Sequence, residues 1–313
     1  MTWIVGAPVM FGYGFAVSDV RVTLASGEER DCLQKVYPVG KFIAAGFAGS
    51  VRIGFAMLET LSSLLNVPEA EGDDKAWDPV AISRWWPADA RDVFSKFPAT
   101  EQACHSHLML IGTSPTETNG DAPWAKAYVY IFRSPEFTPE EVSPGQIGAI
   151  GSGNFVEPCR DMVQRFSSDH SARFQLMQGE VGQPGGMGQM FGWRATTILK
   201  DCRPNGISSH LHYCWVYRGR IVIQTNDHTT YGAWTSFPIG LDTPEAPEKS
   251  SGTNPVTGEP EEVGVQHFTM PVIAQSWNEL QKLLSAEGAT AEGAVAQLLR
   301  NFRGIIHNTL GFR

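Results

Sequence analysis

The stretch Met1-Thr2-Trp3-Ile4-Val5-Gly6 decides how the rest of the chain is read. A small hydroxyl residue after the initiator Met is a site that methionine removal tolerates, so the mature chain is expected to begin at Thr2. A free α-amine would then stand beside a hydroxyl on the same residue. An α-amine ordinarily titrates at roughly pH 8, which leaves a useful fraction neutral at physiological pH and able to take the hydroxyl proton. One residue would hold both nucleophile and base. An ordinary N-terminal strand also begins this way, and only the rest of the sequence separates the two readings.

Composition narrows the field. The 313 residues are 42% hydrophobic and 18% charged, the balance of a globular protein able to bury a core. A formal charge of −9 with no Lys/Arg cluster argues against a nucleic-acid partner, which needs a concentrated basic surface. The cysteines at 32, 104, 159, 202 and 214 lack the paired short spacing of a zinc site and read as free thiols in a reducing compartment. Residues 3–17 are apolar but carry no basic n-region and are interrupted by glycines and a proline, unlike a signal peptide. No window supplies the roughly 18 uninterrupted apolar residues of a membrane span. A cytoplasmic protein is expected, with no metal or other cofactor.

Working outward from the first stretch, Trp3 to Met10 and Gly14 to Val22 read as a hairpin around Phe11-Gly12-Tyr13-Gly14. Asp19 interrupts the second apolar run, and a buried carboxylate needs a partner. Two more strands follow a polar turn, Leu33 to Val39 and Lys41 to Phe47. Lys35 is the nearest candidate partner for Asp19; spacing alone leaves it either there or on a solvated strand face. Ile53, Met57, Leu61 and Leu64/Leu65 have the period of a helix with one buried stripe.

Residues 67–104 read as an outer insertion, with a short helix somewhere in Ser83 to Phe97 carrying Trp85 and Trp86. Cys104, His105 and His107 fit alternate positions on a sheet face better than a metal site. Strands resume at Leu108 to Thr113 and Ala125 to Phe132, and Ile147 to Ile150 leads through Gly151-Ser152-Gly153 into a second amphipathic helix. Another helix from about Met187 to Cys202 precedes strands at His210 to Tyr217 and Arg220 to Thr225. The Pro/Glu/Ser-rich 241–264 segment reads as a flexible linker, followed by helices at about 276–285, opened by a Ser-x-x-Glu capping box, and 290–309. This divides the chain into a domain at 1–235 and an extension at 236–313.

Thr2-x-Ile4-Val5-Gly6, Ser18-Asp19-x-Arg21-x-Thr23, Lys35-Val36-x-x-Val39, Ala45-Gly46-Phe47-Ala48-Gly49 and Gly151-Ser152-Gly153, in that order, resemble the proteasome β-subunit and HslV-type peptidase family of N-terminal-nucleophile hydrolases, in its bacterial proteasome-like branch. The resemblance covers residues 2–66 well and about 105–230 more loosely. It implies an α+β fold, a four-layer αββα sandwich of two stacked antiparallel sheets flanked by helices. It also implies a threonine protease whose Thr2 attacks amide bonds of extended peptides, in a homo-oligomeric ring or open array, with or without an ATP-driven unfoldase.

Residue by residue, the resemblance makes Lys35 the cation that keeps the Thr2 amine neutral, Asp19 the acid that orients Lys35, and Gly49 N–H the oxyanion donor. Ser152 supports the N-terminus and Asp201 follows the second helix. Thr23 and Val51 pair with substrate, and Phe47 floors a specificity pocket. The chain departs from the family in three places: one extra residue between Thr2 and Asp19, Trp3 after the nucleophile, and Pro204 where a serine is usual, with Ser208 or Ser209 as substitutes. Two other functions fit the same residues, a small-molecule amidase of this mechanism and a catalytically silent assembly subunit.

Overall fold

The computed structural model describes residues 3–9, 12–24, 27–66, 74–118, 125–151, 207–208, 210–217, 220–225, 228–232, 248–253, 260–267 and 273–285. The chain divides into two units, Met1–Ile273 and Ala274–Arg313.

The first unit is a mixed α+β structure whose described sheets are all antiparallel. The hairpin expected at the N-terminus is present as β1 (Trp3–Val9) and β2 (Tyr13–Asp19), in register from Ile4 opposite Ser18 to Val9 opposite Tyr13. That register runs without a bulge. A short ribbon follows, β3 (Arg21–Thr23) paired with β4 (Glu29–Asp31). Next come β5 (Val36–Gly40) and β6 (Ile43–Ala48), then β7 (His107–Thr118), β8 (Ala125–Arg133), β9 (Pro139–Glu141) and β10 (Gly148–Gly151). β11 (Leu211–Tyr217) and β12 (Arg220–Thr225) match the last two strands read from the sequence.

These strands make two five-stranded sheets, ordered β10-β1-β2-β11-β12 and β5-β6-β7-β8-β9. Every residue of β2 and of β6 is buried, which is why neither run alternates apolar with polar: each strand is covered on both faces. One hydrophobic cluster joins the sheets, with Ile4, Ala16 and Cys214 from the first meeting Ala44, Met109 and Ile111 from the second.

Helix α1 (Val51–Leu65) lies over β5 and β6, and α2 (Pro79–Ser95) over β7 and β8. The second of these lies in the 67–104 segment and is longer than the short helix expected within Ser83 to Phe97. Ile82, Trp86, Ala90, Val93 and Phe94 form a buried stripe along it, and Trp86 is 0% exposed. Asp78 accepts from Val80 N and Pro79 occupies the first turn, a favoured start. Pro87, buried within the helix, is what breaks the pattern in sequence. A four-residue helix, α3 (Ala99–Gln102), completes the segment.

Where the 241–264 linker is expected, β14 (Glu248–Thr253) and β15 (Pro260–His267) pair with each other, and β13 (His228–Gly232) pairs with β15. β15 alternates Val263 and Val265 with smaller or polar residues, a strand pattern that the surrounding prolines and glutamates obscure. In the second unit, α4 (Trp277–Ser285) starts as expected, with Ser276 Oγ accepting from Glu279 N at 3.2 Å and the Glu279 carboxylate from Gln275 N at 2.8 Å. The expected 290–309 helix lies outside the described residues, as do those expected after Gly153 and at 187–202. Among the described residues no helix is long and apolar enough to cross a membrane.

If α2 is part of the core, Trp86→Ala should lower unfolding free energy by about 3–5 kcal/mol in equilibrium denaturant titration. An outer insertion would lose no more than about 0.5 kcal/mol.

Candidate functional site

Strand ends of both five-stranded sheets carry the residues singled out in the sequence. In the first sheet Trp3 opens β1 opposite Gly151, and Asp19 closes β2 opposite Leu211. In the second, β6 ends at Ala48 opposite His107, and Gly49 follows. Lys35 immediately precedes β5 and is fixed from several sides. Its carbonyl accepts from Phe47 N at 3.1 Å, and just before it Cys32 N and Leu33 N both donate to Val20 O at 3.0 Å.

From that position the Lys35 ammonium donates to Asp19 Oδ1 at 2.6 Å, with both side chains 0% exposed. The choice left open by spacing is resolved: the lysine faces the carboxylate. Trp3 N donates to the same oxygen at 3.0 Å. Oδ2 accepts from Arg21 N at 3.2 Å and Ser208 N at 3.4 Å. Four donors satisfy the full acceptor capacity of an ionised carboxylate, which is how the charge is tolerated away from water.

A second, partly buried pair adjoins the first. Arg21 grips Asp31 with Nε at 2.7 Å and Nη2 at 3.2 Å, and reaches Glu29 with Nη1 at 3.0 Å. Ser208 Oγ donates to Asp31 at 2.6 Å and accepts from His210 N at 2.9 Å. Burial draws the Lys35 ammonium below the usual lysine range, with Asp19 opposing. Burial alone would raise Asp31; hydrogen bonds from Arg21 and Ser208 and the Arg21 charge outweigh it, so Asp31 titrates below its ordinary 3.8.

Gly49 has φ +100°, and a Cβ there would lie 2.4 Å from the His105 carbonyl oxygen. Backbone strain and contact both require glycine at this junction. Ser50 then caps α1, accepting from Ile53 N at 3.3 Å, so Gly49 stands at the positive end of a 15-residue helix. Val51, the first residue of that helix, is half-buried, and Thr23 is exposed at the end of the β3–β4 ribbon.

Phe47 is 1% exposed. Its ring packs against Gly54 of α1, where a Cβ would sit 2.2 Å away, and lies 5.2 Å from the Phe55 ring and 6.5 Å from Tyr37. Thr2, Ser152 and Asp201 lie outside the described residues. Two participants are not singled out by the sequence: Asp31, which ends a polar turn and has no motif around it, and the Trp3 backbone nitrogen. Ser208, one of two substitutes weighed for Pro204, contacts Asp19 and Asp31, and Ser209 lies outside the described residues. Cys104 is exposed and His105 has φ 48°, and among the described residues no group of three His, Cys, Asp or Glu side chains could hold a metal ion.

The arrangement fixes a buried cation beside the backbone nitrogen that joins Trp3 to residue 2. Removing one partner strands a buried charge, so Lys35→Met should cost about 3–5 kcal/mol in denaturant titration. Asp19→Asn/Lys35→Met should cost less than the two single changes together. Because Asp31 is depressed in the folded state, its contribution is complete above the unfolded pKa and lost as pH falls through the folded one. Asp31→Asn should therefore flatten the acid limb of stability below about pH 4, read from thermal midpoints across pH. Compared with known proteins, the chain matches no family model, and no curated protein matches it in sequence.

Proposed function

We propose that the chain is a proteasome-like threonine hydrolase that cleaves amide bonds through Thr2 once Met1 is removed. The observation that carries this reading is the sharing of Asp19 Oδ1 by the Lys35 ammonium and Trp3 N, which brings the backbone next to residue 2 to a buried cation. A cation there disfavours protonation of a nearby amine and keeps it available as a base. The Thr2 hydroxyl passes its proton to that amine as Oγ1 attacks the carbonyl carbon. Developing negative charge on the carbonyl oxygen is met by Gly49 N–H at the start of α1. The α-amine returns that proton to the leaving nitrogen as the C–N bond breaks and an ester on Oγ1 remains; water then attacks the ester carbonyl, releases the acid and restores the Thr2 hydroxyl.

The proposed architecture is the full αββα sandwich. Its support is the outer face of the first sheet, where Trp3, Val5, Phe15 and Trp215 are at most 3% exposed, as on a face covered by another layer. Assembly into a homo-oligomeric ring or array in the cytoplasm belongs to the same proposal.

One observation favours a small amide over an extended peptide as substrate. The Phe47 ring is enclosed by Tyr37, Phe55 and the α1 backbone and leaves little room for a large side chain beside it. A panel of fluorogenic peptides run against small amides separates the two.

Intact mass should show the chain lacking Met1. An electrophile directed at N-terminal threonine should add one equivalent to the parent and none to Thr2→Ala, and Lys35→Met should slow labelling by about 10²-fold or more. Retained Met1, or equal labelling of Thr2→Ala, would instead support the silent assembly subunit.

A further inference from the structure

We propose that Asp31 is a positioning residue: acting through Ser208 and Arg21, it holds the Asp19 carboxylate in place and so governs the protonation of Lys35. Only the catalytic consequence depends on the hydrolase reading; the contacts do not.

Four residues close a ring. Ser208 and Arg21 each donate a backbone N–H to Asp19 Oδ2, and each donates a side-chain hydrogen to Asp31. Asp31 is where the two side chains meet. Of the four donors to Asp19, Trp3 N and Arg21 N belong to strands β1 and β3, whose ladders place them independently, and Lys35 is anchored through its carbonyl to β6. Ser208 lies ahead of β11, beyond that strand's ladder, and 189 residues from Asp19 in sequence. Its hydroxyl ties it down, donating to Asp31 and accepting from His210 N.

Without the Asp31 carboxylate the Ser208 hydroxyl loses its acceptor, the Arg21 guanidinium keeps Glu29, and Ser208 N loses the partner that aligns it on Asp19 Oδ2. Asp31 also bears on Lys35 by charge, favouring the ammonium. Looser alignment of Asp19 and loss of a negative charge act in one direction: both let Lys35 shed its proton more readily.

The test reads Lys35 itself. The full chain has eight lysines, few enough for their ¹³Cε resonances to be followed through a pH titration, with Lys35→Arg supplying the assignment. Asp31→Asn and Ser208→Ala should each move the Lys35 midpoint to lower pH by about one pH unit. The double variant should move it no further than the larger single one, because both break one ring. Ser208→Thr should restore it. Glu29→Gln, which touches Arg21 from the exposed side and leaves Ser208 untouched, should leave it in place.

An unmoved midpoint in folded Asp31→Asn or Ser208→Ala would overturn the proposal. Additive shifts, or an equal shift from Glu29→Gln, would overturn it too, leaving a general charge effect. Should Asp31→Asn fail to fold, Ser208→Ala with its threonine rescue decides alone. Should the midpoints shift as expected while the parent chain never labels at Thr2, the hydrolase reading falls and the positioning role of Asp31 stands.

Discussion

Asp19 closes β2 of one five-stranded sheet, Lys35 immediately precedes β5 of the other, and their contact links the two where these strands end and begin. Both charges are wholly withdrawn from water, an arrangement whose desolvation penalty commonly matches or exceeds the attraction gained. Two apolar side chains of similar volume would hold the layers together at least as well. Such a pair is weak as an explanation of stability and strong as a pointer to chemistry, because perturbed, buried charges gather where a protein must control a proton. What makes it tolerable here is completeness: each oxygen of Asp19 has two donors.

The surroundings of that pair are correspondingly rigid. Strand backbones supply Trp3 N and Arg21 N, while β6 holds the Lys35 carbonyl through Phe47 N. Phe47 is itself locked beneath α1 by the absence of a side chain at Gly54. The residue that fixes the lysine from one side is thus fixed by the helix layer on the other. Gly49, two positions along, combines a left-handed backbone with contact against the His105 carbonyl and turns β6 into α1. Function-bearing geometry is held more reproducibly on strand and helix ends than on free loops.

The legible parts of this structure are those whose signals are local. β1 and β2 follow from β-branched and aromatic runs around a glycine turn, and α1 from its apolar period. Asp19 stands out because an acid inside an apolar strand demands explanation, and Lys35 because it is a cation inside the next strand-like run. The full length of α2 is hidden in the sequence for a physical reason. Pro87 normally ends a helix, yet here it is buried and a fully buried Trp86 beside it sustains the packing. β14 and β15 are hidden by a composition that usually marks a linker. Asp31 cannot be found at all from spacing, since its meaning depends on Ser208, which tertiary folding brings to it from the far end of the domain.

Charge counting connects the site to the chemistry proposed for it. Lys35 and Asp19 cancel, as do Arg21 and Asp31, so these two pairs are balanced, and Glu29 adds a further charge on their outer side. A further cation brought against this balanced, water-poor cluster finds the carboxylates of its two acids already spent: both Asp19 oxygens are engaged, and Asp31 is taken by Arg21 and Ser208. Protonating an amine at that place would add uncompensated charge in a medium that penalises it. Under the proposed mechanism this is the condition wanted, an amine kept neutral by neighbours whose own charges are spent on one another. The same balance would be lost by removing either member of either pair, and for that reason the second pair, whose acid has no motif around it, matters to the first.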